Sequence, residues 1–172
     1  MIIDVSPSRS GAVHGWCRWP GERVRCALGR GGVRTRKREG DGATPAGCWP
    51  VRRVLYRADR LDPGPLALPS RGIRIHDGWS DDPRDPRYNR AVRLPTSFGH
   101  ERLWRTDRLY DLILVLGYND APPVAELGSA IFLHRARDDL APTEGCVALE
   151  MGDLLRMVRS LSARSLVRVR KG

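Results

Sequence analysis

Cys146 and His134 are the side chains of this 172-residue chain whose types and setting suit covalent chemistry. A thiol is a poor nucleophile until it loses its proton. An imidazole beside it can take that proton and hold the thiolate as an ion pair. His134 ends the apolar run Ala130-Ile131-Phe132-Leu133, and a strand end is a rigid mount for a base. Cys146 follows Gly145 in Pro142-Thr143-Glu144-Gly145-Cys146-Val147-Ala148-Leu149. A glycine before the cysteine permits a tight turn that aims consecutive N–H groups at one point, as an oxyanion hole requires. The polar stretch Arg135 to Ala141 must then fold back to bring the two side chains together.

The elements around this pair are read from short apolar runs. Ile2–Val5, Gly15–Trp19, Arg23–Leu28, Pro50–Tyr56, Leu112–Leu116, Ala130–His134 and Ser165–Val169 are separated by Gly, Pro, Asn and Asp clusters. This pattern predicts a mainly β, largely antiparallel fold with one or two helices. The clear helix follows the cysteine, where Met151, Leu154, Leu155, Val158 and Leu161 recur at helical spacing and Asp153 suits the first turn. Asp77 to His100 is too long and polar for a simple turn and reads as a functional loop. The length suits one domain spanning residues 1–172.

Two further segments join the catalytic one. Gly40-Asp41-Gly42-Ala43-Thr44-Pro45-Ala46-Gly47 lies upstream, and it lacks the Gly-Lys-Ser/Thr ending of a phosphate-binding loop. Asp81-Asp82-Pro83, Tyr88-Asn89, Tyr110-Asp111 and Gly117-Tyr118-Asn119 fall between the two. From Gly40 to Leu149 the chain resembles the YkuD family, the L,D-transpeptidases. That family has a histidine at a strand end, then Ser/Thr-x-Gly-Cys, with a Gly-Asp-Gly-x-Thr-Pro-x-Gly turn upstream. The resemblance implies a β-rich catalytic domain acting on peptidoglycan stem peptides. Cys146 would attack the carbonyl after a diaminopimelate-type residue, His134 would carry the proton, and a thioester would pass to an amine or to water. It also implies oxyanion donors at the backbone of Glu144, Gly145 and Cys146, and a backbone carbonyl at Arg135 that orients His134. Thr143 and Tyr118, in the matching segments, are expected to contact substrate, and the upstream turn is expected to shape the cleft wall. Glu144 and Ala148 depart from the family's usual His and Arg/Asn. A carboxylate at 144 would raise the thiol pKa unless it points away.

His76, after Ile73-Arg74-Ile75, is a candidate substrate contact at a strand end, and a hydrogen-bonded structural histidine would suit that place equally. Asp81, Asp82 and Asp85 read as an exposed turn paired with Arg84 and Arg87 rather than a metal site. No cofactor and no metal are expected. Cys17 and Cys26 lie in neighbouring apolar stretches and could face each other across a hairpin; they read as small buried hydrophobes, with a structural disulfide as the alternative.

The net charge is +10 and the pI about 10.4, carried almost wholly by arginine; Lys37 and Lys171 are the lysines. Such a charge suits an anionic partner, here a wall polymer. A nucleic-acid-binding module is the competing class, and the predicted helix carries just Arg156 and Arg159 with no interleaved aromatics, so no nucleic acid is expected. The dense run Arg34-Thr35-Arg36-Lys37-Arg38 reads as a mobile loop. No apolar run reaches membrane-spanning length, and a monomer is expected. The first residues show no basic-then-apolar leader pattern. The resemblance nevertheless places the substrate in the periplasm or cell envelope, and a cytoplasmic location stays open.

Overall fold

The computed structural model describes residues 1–172. The chain opens with β1 (Ile2–Pro7), β2 (His14–Trp19) and β3 (Glu22–Ala27). Two short strands follow, β4 (Val33–Arg34) before the Gly40–Gly47 turn and β5 (Thr44–Pro45) within it, and then β6 (Gly47–Tyr56) and β7 (Ser70–Gly72). Then come β8 (Asp77–Ser80), β9 (Ala91–Arg93) and β10 (His100–Arg102). The second half holds β11 (Leu112–Leu116), β12 (Phe132–Arg135), β13 (Val147–Leu149), the helix α1 (Met151–Ser160) and β14 (Leu166–Val169). The fold is mainly β, as the sequence predicts, with one helix.

The main sheet runs β11-β12-β13-β3-β2-β1-β14-β6-β7, and β6 also pairs with β11. β6 does both because it is long: Gly47 to Pro50 pair with β14, while Val51 to Tyr56 pair with β11. Eight strands therefore form a closed circuit, which leaves few unpaired edges. Its inside is the main core, where Ile3, Val5, Leu112, Leu114, Leu133, Val147 and Leu149 meet Leu154, Met157 and Val158 of α1. The carboxylate of Glu150 caps α1 by accepting from the amides of Gly152 and Asp153.

Pairing is mostly antiparallel, but β12 and β13 run parallel, with Leu133 opposite Val147 and His134 opposite Ala148. This exception sets the site. Strand residues alternate between faces. Leu133 and Val147 point into the main core, so Phe132, His134, Cys146 and Ala148 share the other face. That face has its own apolar cluster of Leu55, Ile73, Leu103, Tyr110, Ile113, Val115, Phe132 and Cys146. β11 is thus buried on both sides, which is why Leu112–Leu116 is apolar without alternation.

The segment covering this second face is the one read as a long loop. It is instead a small antiparallel sheet in the order β10-β8-β9. Its strands are only three or four residues long, too short to show a period, and its polar residues are consumed in turns. Asp82 accepts from the amide of Arg84 and Asp85 from that of Arg87, and the same carboxylates pair with those arginines' guanidinium groups. The aspartates are buried and the arginines exposed, so this is a built turn rather than a solvated one.

Three smaller expectations change as well. Ile73–Ile75 is not a strand: the chain leaves β7 at Gly72 and turns, so His76 sits exposed on a turn before β8. The Arg34–Arg38 run is not a free loop, because Lys37 is buried within it. Cys17 lies opposite Val24 and Cys26 opposite Gly15, so the two thiols do not face each other directly. Both are free and fully buried, and burial pushes the Cys26 thiol up to about 12.

Candidate active site

A cavity of about 280 Å³ opens beside the end of β12. Cys146, His134, Tyr110, Glu101, Arg105 and Arg137 are among the residues that line it. The β12–β13 register explains the pairing of thiol and imidazole. They are diagonal neighbours on one face, mounted on adjacent parallel strands.

The thiol is held from the β12 side. The amide of Phe132 donates to Sγ at 3.4 Å, and Sγ–H donates to the carbonyl of Ala130 at 3.3 Å. Ala130 adopts a left-handed conformation with φ 52°, which is uncommon for a residue with a Cβ. This bend starts β12 at Phe132, two residues later than the apolar run suggests, and it frees the Ala130 carbonyl for the sulfur. The amide of Ala130 donates to Oδ1 of Asn89, a buried residue that also accepts from the indole of Trp79. The Asn89 side-chain amide donates in turn to the carbonyls of Tyr118 and Asn119. The small sheet is thereby pinned to the approach to β12.

His134 donates from Nδ1 to the carbonyl of Arg135 at 2.7 Å. A carbonyl can only accept, so Nδ1 carries the proton and Nε2 is the acceptor nitrogen. Nε2 has no partner within the protein. The Tyr110 ring packs edge-on against the imidazole, with centroids 5.3 Å apart. Arg105 lies over Tyr110 and is tied to Glu101 at 2.9 Å and Asp107 at 2.6 Å.

Electrostatics favour the neutral pair. Burial pushes the Cys146 thiol up to about 12; Glu101 adds to this, while the Phe132 amide and Lys37 oppose it. Burial also pushes His134 down to about 4, with Arg105 and Arg137 adding and the Arg135 carbonyl opposing. Burial thus favours the neutral thiol and imidazole over the separated charges, because neither charge is solvated here. The carboxylate acting on the thiol is Glu101. Glu144 points away, exposed and paired with Arg30 at 2.7 Å.

The turn before Cys146 is fixed by Thr143. Its hydroxyl accepts from the amide of Gly145 at 3.1 Å and donates to the carbonyl of Cys146 at 2.6 Å. The Gly145 N–H is thus already used, whereas the amides of Glu144 and Cys146 have no acceptor among the loop and side-chain hydrogen bonds. Gly145 has φ 133°, and a Cβ there would lie 2.8 Å from the carbonyl oxygen of Ala43, so only glycine fits. The Gly40–Gly47 turn thus supports the cysteine turn from behind rather than lining the cavity. Thr44 adds to this support: its hydroxyl accepts from the amide of Gly29 at 2.8 Å and reaches the Cys146 carbonyl at 3.5 Å. Thr143→Val should remove both hydroxyl bonds. The expected cost is about 1–2 kcal/mol in a denaturant melt, with turnover about tenfold lower as the turn loosens.

Not all expected substrate contacts converge here. Thr143 lines the cavity, but its hydroxyl is engaged within the turn. Tyr118 is elsewhere, with its hydroxyl on the carbonyl of Leu127 and its ring edge-on to Trp49. His76 borders a separate shallow depression with Arg74, Ile75 and Arg93. Conversely, Glu101, Arg105 and Arg137 line the cavity from outside the matching segments, and Tyr110 joins them from the Tyr110-Asp111 segment. Their chain positions carry no spacing signal relative to the cysteine.

Among known protein families, the chain matches the L,D-transpeptidase catalytic domain, YkuD, over residues 16–169. No curated protein and no solved structure matches it. The match spans nearly the whole chain, including both strands that carry the cavity's thiol and imidazole, and the chain belongs to the L,D-transpeptidase catalytic-domain family.

Proposed function

We propose that this protein is a peptidoglycan L,D-transpeptidase that works through a thioester on Cys146. The observation that carries the reading is one cavity presenting a buried thiol and a neutral imidazole from adjacent parallel strands, in a chain of this family. Sγ attacks the carbonyl carbon after the diaminopimelate-type residue of a tetrapeptide stem while Nε2 of His134 takes the thiol proton. Forming both charges together avoids a buried, unpaired thiolate. The amides of Glu144 and Cys146 are the donors for the oxyanion; Gly145 contributes the turn rather than its own N–H. As the tetrahedral species collapses, the C–N bond breaks and His134 gives its proton to the leaving amine. An amine of a second stem then attacks the thioester, His134 takes its proton, and the thiolate leaves and is reprotonated.

Arg137 lines the cavity and has no ion-pair partner, unlike Arg105. A carboxylate of the stem is its natural counterpart. The substrate lies outside the cytoplasmic membrane, so the proposed location is the periplasm or envelope. No helix is long and apolar enough to cross a membrane.

The test is mass spectrometry of disaccharide-tetrapeptide muropeptides incubated with the protein. Cross-linked dimers, or exchange of the terminal residue with an added D-amino acid, are the expected products. Stems that are only shortened would identify a hydrolase on the same scaffold. Unchanged muropeptides would contradict the substrate assignment.

A further inference from the structure

Lys37 is one of two buried cations, with its side chain only 2% exposed, and unlike Arg57 it lies beside the cysteine turn. Its ammonium donates to Oδ1 of Asp41 at 2.8 Å and to the carbonyl of Arg38 at 3.3 Å. An ammonium has three N–H donors, so one remains without a partner. The side chain passes between two glycines of the segments that build the site. A Cβ at Gly128 would lie 2.7 Å from Cε of Lys37, and a Cβ at Gly145 would lie 3.4 Å from its Nζ. Both glycines have positive φ, 99° and 133°. Asp41, which holds this ammonium, also accepts from the amides of Arg38 and Ala43. The ammonium itself therefore lies against the turn that ends in Cys146.

Stability alone gives this arrangement little reason. A buried ion pair rarely stabilises a fold more than apolar residues of the same volume would. A fixed positive charge under a turn where negative charge develops is, by contrast, a direct source of rate.

We propose that Lys37 is a positioning residue for the reaction. Held by Asp41, it places a positive charge behind the Gly145–Cys146 turn and stabilises the negative charge that forms at Sγ and the oxyanion. The inference rests on Cys146 being the nucleophile. The opposing influence of Lys37 on the raised thiol is consistent with it.

The experiment reads the thiol without any peptidoglycan substrate. Cys48 is exposed, so the measurement is made in a Cys48→Ser background. Alkylation of Cys146 by iodoacetamide is followed by peptide mass at one fixed pH, where the rate tracks the thiolate fraction. Lys37→Met alone would strand the Asp41 carboxylate and threaten the fold, so the informative variant is Lys37→Met with Asp41→Asn. It is expected to alkylate about tenfold more slowly, as for a pKa one unit higher. Lys37→Arg, which keeps the charge, is expected to stay within about twofold of the parent. A neutral variant that alkylates at the parent rate would overturn the proposal. So would an arginine variant as slow as the neutral one, which would assign the effect to shape. A double variant too unstable to assay would assign the pair to the fold and overturn it equally. Because iodoacetamide replaces the stem peptide, a failure of the peptidoglycan reading would leave this contrast intact.

Discussion

Cys146→Ala is expected to lower turnover of muropeptides at least about 10⁴-fold, to the level left by binding and oxyanion contacts alone. The fold should survive, because the change removes one sulfur from the edge of the smaller apolar cluster. The lost contacts are the weak bonds to Ala130 and Phe132, and the stability cost should be about 1 kcal/mol. Cys146→Ser should be nearly as inactive, since a buried hydroxyl is far harder to deprotonate than a thiol. Cys17→Ala supplies the contrast. Cys17 lies fully buried in the main core, so its truncation should cost about 1–2 kcal/mol and leave turnover unchanged. Thermal melts and product analysis on the three variants separate the two kinds of cysteine. A Cys146→Ala protein that still turns over substrate would end the covalent mechanism.

His134→Gln is expected to lower turnover about 10³-fold, because glutamine can neither accept nor return the thiol proton. It should also change how stability depends on pH. The imidazole is pushed from 6.5 in the open chain down to about 4 in the fold. Above about pH 6.5 both states are neutral and the fold loses nothing. As pH falls from there, the unfolded chain takes up a proton that the folded chain refuses, so stability drops until about pH 4 and then levels off. The full drop is about 3 kcal/mol. The groups facing the ring are Arg105, Arg137, Asp107 and the Arg135 carbonyl, with Tyr110 packed on one side. The arginines keep their charge through this range, so they do not blur the imidazole's step. Urea melts at about pH 7.5 and about pH 5 should show the parent losing more stability than His134→Gln. Equal losses in the two proteins would mean that His134 is not held neutral.

Much of this site is legible in the sequence, for identifiable reasons. A glycine-cysteine step after a polar linker, and a histidine ending an apolar run, reflect local backbone demands, and local demands leave local patterns. The helix after the cysteine is read correctly because three turns of apolar spacing are enough to show a period. The small sheet is hidden because its strands are shorter than a readable alternation. The walls of the cavity are hidden for a different reason. Glu101 and Arg105 reach the cavity only because the small sheet and the chain leaving it fold over β12, a contact between distant parts of the chain. Lys37 had a faint signal, since a lone lysine among arginines beside the Gly40–Gly47 turn is a departure from the chain's own habit. Its burial against Gly145 depends on the close approach of two glycine-rich turns, which no spacing announces.

The most direct measurement is a search for the covalent intermediate. The protein is incubated with disaccharide-tetrapeptide, quenched in acid and mapped by peptide mass spectrometry. The expected result is a disaccharide-tripeptide acyl group on the peptide containing Cys146, released by hydroxylamine as a thioester should be and missing from Cys146→Ala. An adduct on any other residue, or product formation by the Cys146→Ala protein, would contradict the assignment of Cys146 as nucleophile.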